Sequence, residues 1–287
     1  MKFTRKQKVV AVAAVVVALG LCWTLWPSGP SYQGRSMQHW FCHPGPNDAE
    51  AFRTMGRQTV PFLIERLEAG PSARVKRLLE KISTTPSEIY RQNKEMWQDR
   101  AAYLLGELGA AGQPAETNLT RAAASENWSL RGSAIVALMK IRGQPLEPLI
   151  EKLRDTTDYR AWYENAMMVA QFGTRAEPAI PILLEALQHS NNIIQAHALI
   201  ALGRIARQPD QCVPAITPFL ASPNVSDRQK AIGALLAFGT NALPARTEIR
   251  AALDDADPWV RQEAELAMKT LDAVKQSDAP KSLEPVR

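Results

Sequence analysis

Residues 172–187 read FGTRAEPAIPILLEAL, and residues 191–205 read NNIIQAHALIALGRI. In the second stretch Ile194, Ala198, Ala201, Leu202 and Ile205 recur at spacings of three and four, so they share one face of a helix. Asn191 supplies a side-chain acceptor where that helix begins. The first stretch carries Pro178 and Pro181 and then an apolar run ending at Leu187. It reads as a shorter partner helix, since proline is tolerated where first-turn N–H groups lack helical partners.

The pattern recurs along the chain. Positions equivalent to Leu202 are Phe52, Leu105, Leu138, Val169, Leu235 and Met268, and the last five steps are 33, 31, 33, 33 and 33 residues. Three residues on from each marker lie Met55, Leu108, Ile141, Phe172, Ile205, Phe238 and Leu271, all apolar. Four residues back lie Ala101, Ala134, Asn165, Ala198, Ala231 and Ala264, mostly small enough to let helices approach. Eleven back lie Asn127, Asp158, Asn191, Asn224 and Asp257, a column of helix N-caps. Pro114, Pro148, Pro178, Pro181, Pro214 and Pro244 cluster before or at the start of each unit's first helix. No useful length alternates with period two. A period near 33 predicts an all-α solenoid of stacked helical pairs.

Phe172–Leu187 resembles a HEAT repeat, and more narrowly the HEAT-like repeats of bilin lyases. Asp257–Met268, DPWVRQEAELAM, is similar to the second helix of that repeat. The resemblance spans residues 96–272, with a degenerate copy near 48–69, and is specific for fold rather than function. Ser31–Phe41, SYQGRSMQHWF, resembles the segment that opens the array in exported bacterial HEAT-repeat proteins. Trp40 and Phe41 within it read as a cap over the apolar end of the first repeat, which a solenoid requires.

Val9–Trp26 is an 18-residue run without a charge, preceded by Lys2, Arg5, Lys6 and Lys8. At 1.5 Å per residue it is near the lower limit for a membrane-spanning helix. The cations put the N-terminus in the cytoplasm and the remainder across the membrane, periplasmic or at the cell surface. Three readings remain open. The run is an uncleaved anchor, a signal cleaved after Ala18-Leu-Gly20 (the chain is then secreted), or a lipoprotein signal at Cys22. The expected organisation is an anchor or signal at 1–30, a linker and cap at 31–47, a solenoid at 48–272 with an insertion near 70–95, and a disordered tail at 273–287. The insertion includes a short basic helix over residues 73–82, and Ser87 opens a long helix.

The 287 residues carry a net charge of +5 and three cysteines. That excludes a disulfide-stapled scaffold. Without the four cations of residues 1–8, 30 basic face 29 acidic residues. A body so nearly neutral does not predict nucleic-acid binding.

The repeat columns also predict surfaces, because a helix turns about 100° per residue. Seven residues before the marker stand Arg131, Trp162, Gln195, Arg228 and Arg261. These point to the edge of the buried arc, and the family resemblance implies that Arg131, Arg228 and Arg261 form a structural ladder bonding caps or carbonyls. Two residues before the marker stand Tyr103, Val136, Met167, Ile200, Gly233 and Leu266, turned away from the core. In HEAT arrays that side is concave. An apolar stripe there, flanked by polar residues, has the form of a protein-binding groove; close curvature that buries the stripe against itself is the alternative. Tyr103, Val136, Met167, Ile200 and Leu266 are the candidate partner-binding residues. Trp97, Trp128, Trp162 and Trp259, at the starts of second helices, read as packing residues between helices.

No HExxH, CxxC, P-loop or GxGxxG occurs, and none of the four histidines precedes a glutamate. The paired His-Glu dipeptides of the iron-binding hydroxylase of this fold are therefore absent. His39, Cys42 and His43 make a sparse metal-site candidate. Cys42 and Cys212 lie about four repeats apart, too far for a disulfide. The expected function is a non-catalytic, membrane-anchored scaffold binding a protein partner through its concave face. No catalytic residue, metal, cofactor or small-molecule substrate is assigned. The alternatives are a metal-assisted enzyme using His39, Cys42 and His43, a lyase-like enzyme accessory, and a purely structural tether.

Overall fold

The computed structural model describes residues 30–45, 47–68 and 87–277. The apolar run at 9–26, the basic helix expected at 73–82 and the tail beyond 277 lie outside the described residues. Among those described, no helix is long and apolar enough to cross a membrane.

The chain opens with β1 (Ser31–Tyr32) and β2 (Arg35–Ser36), paired antiparallel, followed by α1 (Met37–Cys42). Strands were not expected. Two residues each are too short to leave a periodic signal, and the hairpin rests on Gln33 and Gly34, both at positive φ, the geometry of a two-residue turn. Trp40 and Phe41 on α1 are buried. Trp40 Nε1 donates to the Tyr32 carbonyl at 3.1 Å, and Phe41 meets Phe62 and Trp97 edge-on.

Helical pairs then stack in order. The degenerate copy at 48–69 divides: α2 (Asp48–Met55), which carries the marker Phe52, stands as a lone second helix, and α3 (Val60–Glu68) is the first helix packed against the long one that follows. The long helix α4 (Ser87–Glu107) follows, then α5 (Glu116–Ala122) with α6 (Trp128–Arg142), and α7 (Glu147–Glu151) with α8 (Tyr159–Ala170). Next come α9 (Ile180–Ala186) with α10 (Asn192–Ile205), α11 (Pro209–Ile216) with α12 (Val225–Ala237), and α13 (Arg246–Ala251) with α14 (Pro258–Ser277). The second helices α4, α6, α8, α10, α12 and α14 each pack on the next. The last continues to Ser277, past the residue 272 at which the array was expected to end.

Local chemistry sets these boundaries. Asn127, Asp158, Asn191, Asn224 and Asp257 each accept from a main-chain N–H of the first turn they precede, at 2.8–3.2 Å. Pro148 and Pro181 stand in first turns, whereas Pro114, Pro178 and Pro244 lie in tight 3-10 turns leading into first helices. Pro214 differs, for α11 begins at Pro209 and holds it inside. Gly109, Gly173 and Gly239 follow second helices at one repeat position with φ of 54°, 55° and 57°. Ala206 occupies the same position with φ 46°.

The alanine column is fully buried at Ala101, Ala134, Ala198, Ala231 and Ala264. Close approach is extreme at Gly203, where an added Cβ would stand 2.7 Å from Ala234 Cα on the next repeat. Two core clusters, one from Trp40 to Ile141 and one from Val136 to Leu271, meet at α6 and run between the repeats on either side.

Candidate functional site

The column seven residues before each marker forms one continuous set of turn locks. Arg131 Nη1 donates to the carbonyls of Ser125 and Glu126 at 3.1 and 3.3 Å. Arg228 Nη1 reaches Ser222 and Pro223 at 3.0 and 3.4 Å, and Arg261 Nη1 reaches Asp255 and Ala256 at 2.6 and 2.9 Å. Trp162 Nε1 donates to Leu153 at 2.9 Å and Gln195 Nε2 to Leu187 at 3.1 Å. Gln98, one repeat earlier, donates to Leu67 at 2.8 Å. Every member thus donates to a carbonyl at the end of the preceding first helix or in the turn after it. Two arginines also cross to the next repeat: Arg131 pairs with Glu164 at 2.9 Å, and Arg228 grips Asp255 in two bonds at 2.7 and 2.9 Å.

The column two residues before each marker divides. Leu266 is 53% exposed, and Tyr103, Met167 and Ile200 are half-buried. Val136 is 2% exposed and belongs to the core cluster of the following repeats, so it offers no contact surface. The second helices turn inward enough on one another to cover it. The tryptophans divide too. Trp162 is buried, but Trp97, Trp128 and Trp259 are exposed, contrary to the expectation that all four pack between helices.

Tyr103 and Met167 border a groove on the inner side of the array. A cavity of about 530 Å³ is lined by Phe41, Cys42 and Pro44 from the cap, Trp97 and Tyr103 from α4, and Arg204 from α10. Curvature therefore brings the cap, α4 and a helix three repeats beyond α4 onto one space. A smaller cavity of about 150 Å³ shares Asp99, Gln171 and Arg204 with it and extends to Trp128, Glu164 and Met167. Along its edge Trp128, Tyr163 and His197 stack across successive repeats, with ring centroids 5.4 and 4.8 Å apart.

Charge in the groove is mostly neutralised. Arg100 pairs with Asp48 at 2.6 Å and donates to the Phe41 and Trp40 carbonyls at 2.8 and 3.0 Å, tying the cap to α4. Lys140 Nζ donates to Glu107 at 2.6 Å and the Gln171 carbonyl at 2.5 Å, bridging three repeats. It also lies 5.6 Å from the Tyr103 ring and 5.2 Å from Phe172. Burial lowers the Lys140 pKa, against the pull of Glu107. Burial, reinforced by Glu107 and Asp48, pushes the Tyr103 phenol up to about 12. Asp99 and Arg204 make no ion pair among the described residues. The sequence did not mark Asp99, whose importance depends on which helices surround it.

The sparse metal candidate does not assemble. The rings of His39 and His43 stack at 4.5 Å, and His43 Nδ1 is bonded to the His39 carbonyl. Cys42 Sγ accepts from Gln38, one turn back. Among the described residues no three His, Cys, Asp or Glu side chains are placed to hold a metal ion. Cys42 and Cys212 are both free thiols, and burial pushes Cys212 up to about 11.

Comparison with known proteins follows from this geometry. A search of the curated proteins finds no match. Among solved structures, an engineered protein is 19% identical, with a TM-score of 0.42, over 74% of this chain and 98% of that chain. A designed armadillo repeat protein in complex with the peptide (KR)4 is 15% identical, with a TM-score of 0.41, over 74% and 99%. Human deoxyhypusine hydroxylase is 16% identical, with a TM-score of 0.39, over 83% and 88%. The family model described as HEAT repeats matches residues 146–236 and again 180–269. Over residues 146–269, the stacked pairs of this chain are similar to HEAT repeats.

Proposed function

We propose that this chain is a non-catalytic scaffold, anchored in a membrane by residues 9–26, whose repeats of the bilin-lyase type hold a protein partner in the concave groove. The observation that carries the reading is the groove itself. Phe41 and Pro44 of the cap, Trp97 of α4 and Arg204, three repeats beyond α4, face one cavity of about 530 Å³ with aromatic and methionine walls. A concave apolar surface with a few converging polar groups is the usual form of a recognition site. The positive residues before Val9 orient the anchor with the repeats on the far side of the membrane. Tyr103, Met167 and Ile200 are the contact residues, with Leu266 extending the surface towards the C-terminal repeat.

A photo-crosslinking residue at Met167 or Ile200, in the native cell, is expected to trap one and the same protein. The same residue at Leu243, on a turn outside the groove, should not trap it. Met167→Asp with Ile200→Asp should abolish the adduct without lowering the helical content. Equal labelling from all three positions, or none from any, would overturn the reading.

A further inference from the structure

Every second helix from α6 to α14 exposes a large apolar side chain in its first turn. These are Trp128, Tyr159, Ile193, Val225 and Trp259, each 39–65% exposed. Each stands one or two residues after its helix's N-cap. Side chains on a helix lean towards its N-terminus, so in the first turn they project past the end of the rod. The second helices run the same way and pack side by side, so the five side chains form a row along one edge of the array. At 8–10 Å between helices the row is about 32–40 Å long. Among the described residues the turns of the opposite edge expose a single large apolar side chain, Leu243.

Two tryptophans and a tyrosine among branched aliphatics are the side chains that settle at a bilayer interface. The course of the chain brings such a surface within reach. The uncharged run ends at Trp26, and the four residue steps from there to Pro30, where the described structure begins, span at most about 14 Å. The hairpin then leads directly into the cap. Tyr32 meets Trp40 with ring centroids 5.8 Å apart, and the neighbouring Phe41 meets Trp97 at 6.2 Å. Trp97 lies within one turn of the α4 position equivalent to Trp128, so the chain enters the array at the head of the row. Charge selects the headgroups. The turns along the row expose Glu126, Asp155, Asp158 and Asp254 against Lys152 and Arg160, while Arg154 is paired with Glu151. An anionic lipid surface would repel that edge.

We propose that this edge rests on the bilayer in which residues 9–26 are anchored, with its apolar row seated among zwitterionic headgroups. The proposal rests on the anchor and adds a second membrane contact, which holds the array in one orientation.

The test places the full-length chain in phosphatidylcholine vesicles that carry a nitroxide on the acyl chain near the headgroup. A fluorescent coumarin amino acid stands in place of Trp128, Tyr159, Trp259 or Leu243, one position at a time. Emission from the three row positions is expected to fall about twofold, and emission from Leu243 to stay unchanged. Trp128→Ser with Trp259→Ser should restore most of the emission at position 159, and phosphatidylserine in place of phosphatidylcholine should weaken the quenching. No quenching on the row, equal quenching at Leu243, an unchanged signal in the double variant or stronger quenching in phosphatidylserine overturns the proposal. A photo-crosslinking residue at Tyr159 that traps a protein in the native cell gives the row to a partner and overturns it as well. Flotation of the chain with the vesicles reports the anchor separately. If the chain floats while the row stays unquenched, the anchor stands and only this contact falls; if it does not float, both readings fall.

Discussion

Trp162 and Arg228 occupy the same repeat position two units apart, and both donate to a carbonyl of the turn before their own helix. Trp162 Nε1 reaches Leu153 at 2.9 Å, and Arg228 Nη1 reaches Ser222 at 3.0 Å. An indole and a guanidinium do one job there because the position requires a long side chain with an N–H at its tip. The rest of the guanidinium is surplus to that job. Arg228 uses it to grip Asp255, whose side chain is 10% exposed, while Arg261 has no such partner among the described residues.

These two arginines should therefore differ on truncation. Arg228→Ala removes the carbonyl bonds and both bonds to Asp255, which keeps only the Asp257 N–H, and should cost the larger amount. Arg261→Ala loses only its carbonyl bonds and should cost about 1 kcal/mol. Urea unfolding of the two variants measures the difference, and equal losses would contradict the account.

Ala206 sits at φ 46°, where Gly109, Gly173 and Gly239 sit in three other repeats. An L-residue in that region carries roughly 1 kcal/mol of steric strain. Ala206→Gly should raise stability by about 0.5 kcal/mol, what remains of that strain after glycine's larger entropy loss on folding. Gly173→Ala should lower it by a similar amount. Denaturant midpoints for the pair must move in opposite directions.

Gly203 presents a different constraint. It lies inside α10, where a Cβ would stand 2.7 Å from the Ala234 backbone. Gly203→Ala should raise helix propensity yet destabilise the array by about 1–3 kcal/mol through overpacking. Differential scanning calorimetry would show a lower Tm, and a higher one would mean that the helices can separate at no cost.

Tyr103 predicts a pH dependence. Its phenol is raised to about 12 by burial first and then by Glu107 and Asp48. The unfolded phenol ionises near 10, so on raising the pH the unfolded chain gives up this proton before the folded one does. The contribution is fully present below about pH 10 and lost as pH climbs towards about 12. Tyr103→Phe should flatten that part of the stability profile, which chemical denaturation across the window would reveal.

Lys140 links three repeats, and its side chain is 8% exposed against 15% for Glu107. Lys140→Met leaves Glu107 with Arg53 alone, at 3.8 Å. The expected cost is about 3 kcal/mol, and adding Glu107→Gln should recover part of it. A double-mutant cycle in urea checks this, and additive losses would show that the bridge is idle.

Repetition made the architecture legible from the residues. Caps such as Asn191 and buried alanines such as Ala198 act within a few residues of chain, so local spacing reveals them once the period is known. The hairpin at Ser31–Ser36 left no trace, because four paired residues cannot display a period. The seam was half legible: its direction on each helix followed from the 100° turn, but whether Val136 would be covered and Leu266 open did not.

The sequence by itself determined the units, their caps and their turn donors, since each depends on neighbours within one repeat. Only the tertiary structure decided the groove. It depends on how far each repeat rotates on the last, a sum over many packing contacts that no single column encodes. That accumulated rotation brings Pro44 and Arg204 to one cavity and buries Val136.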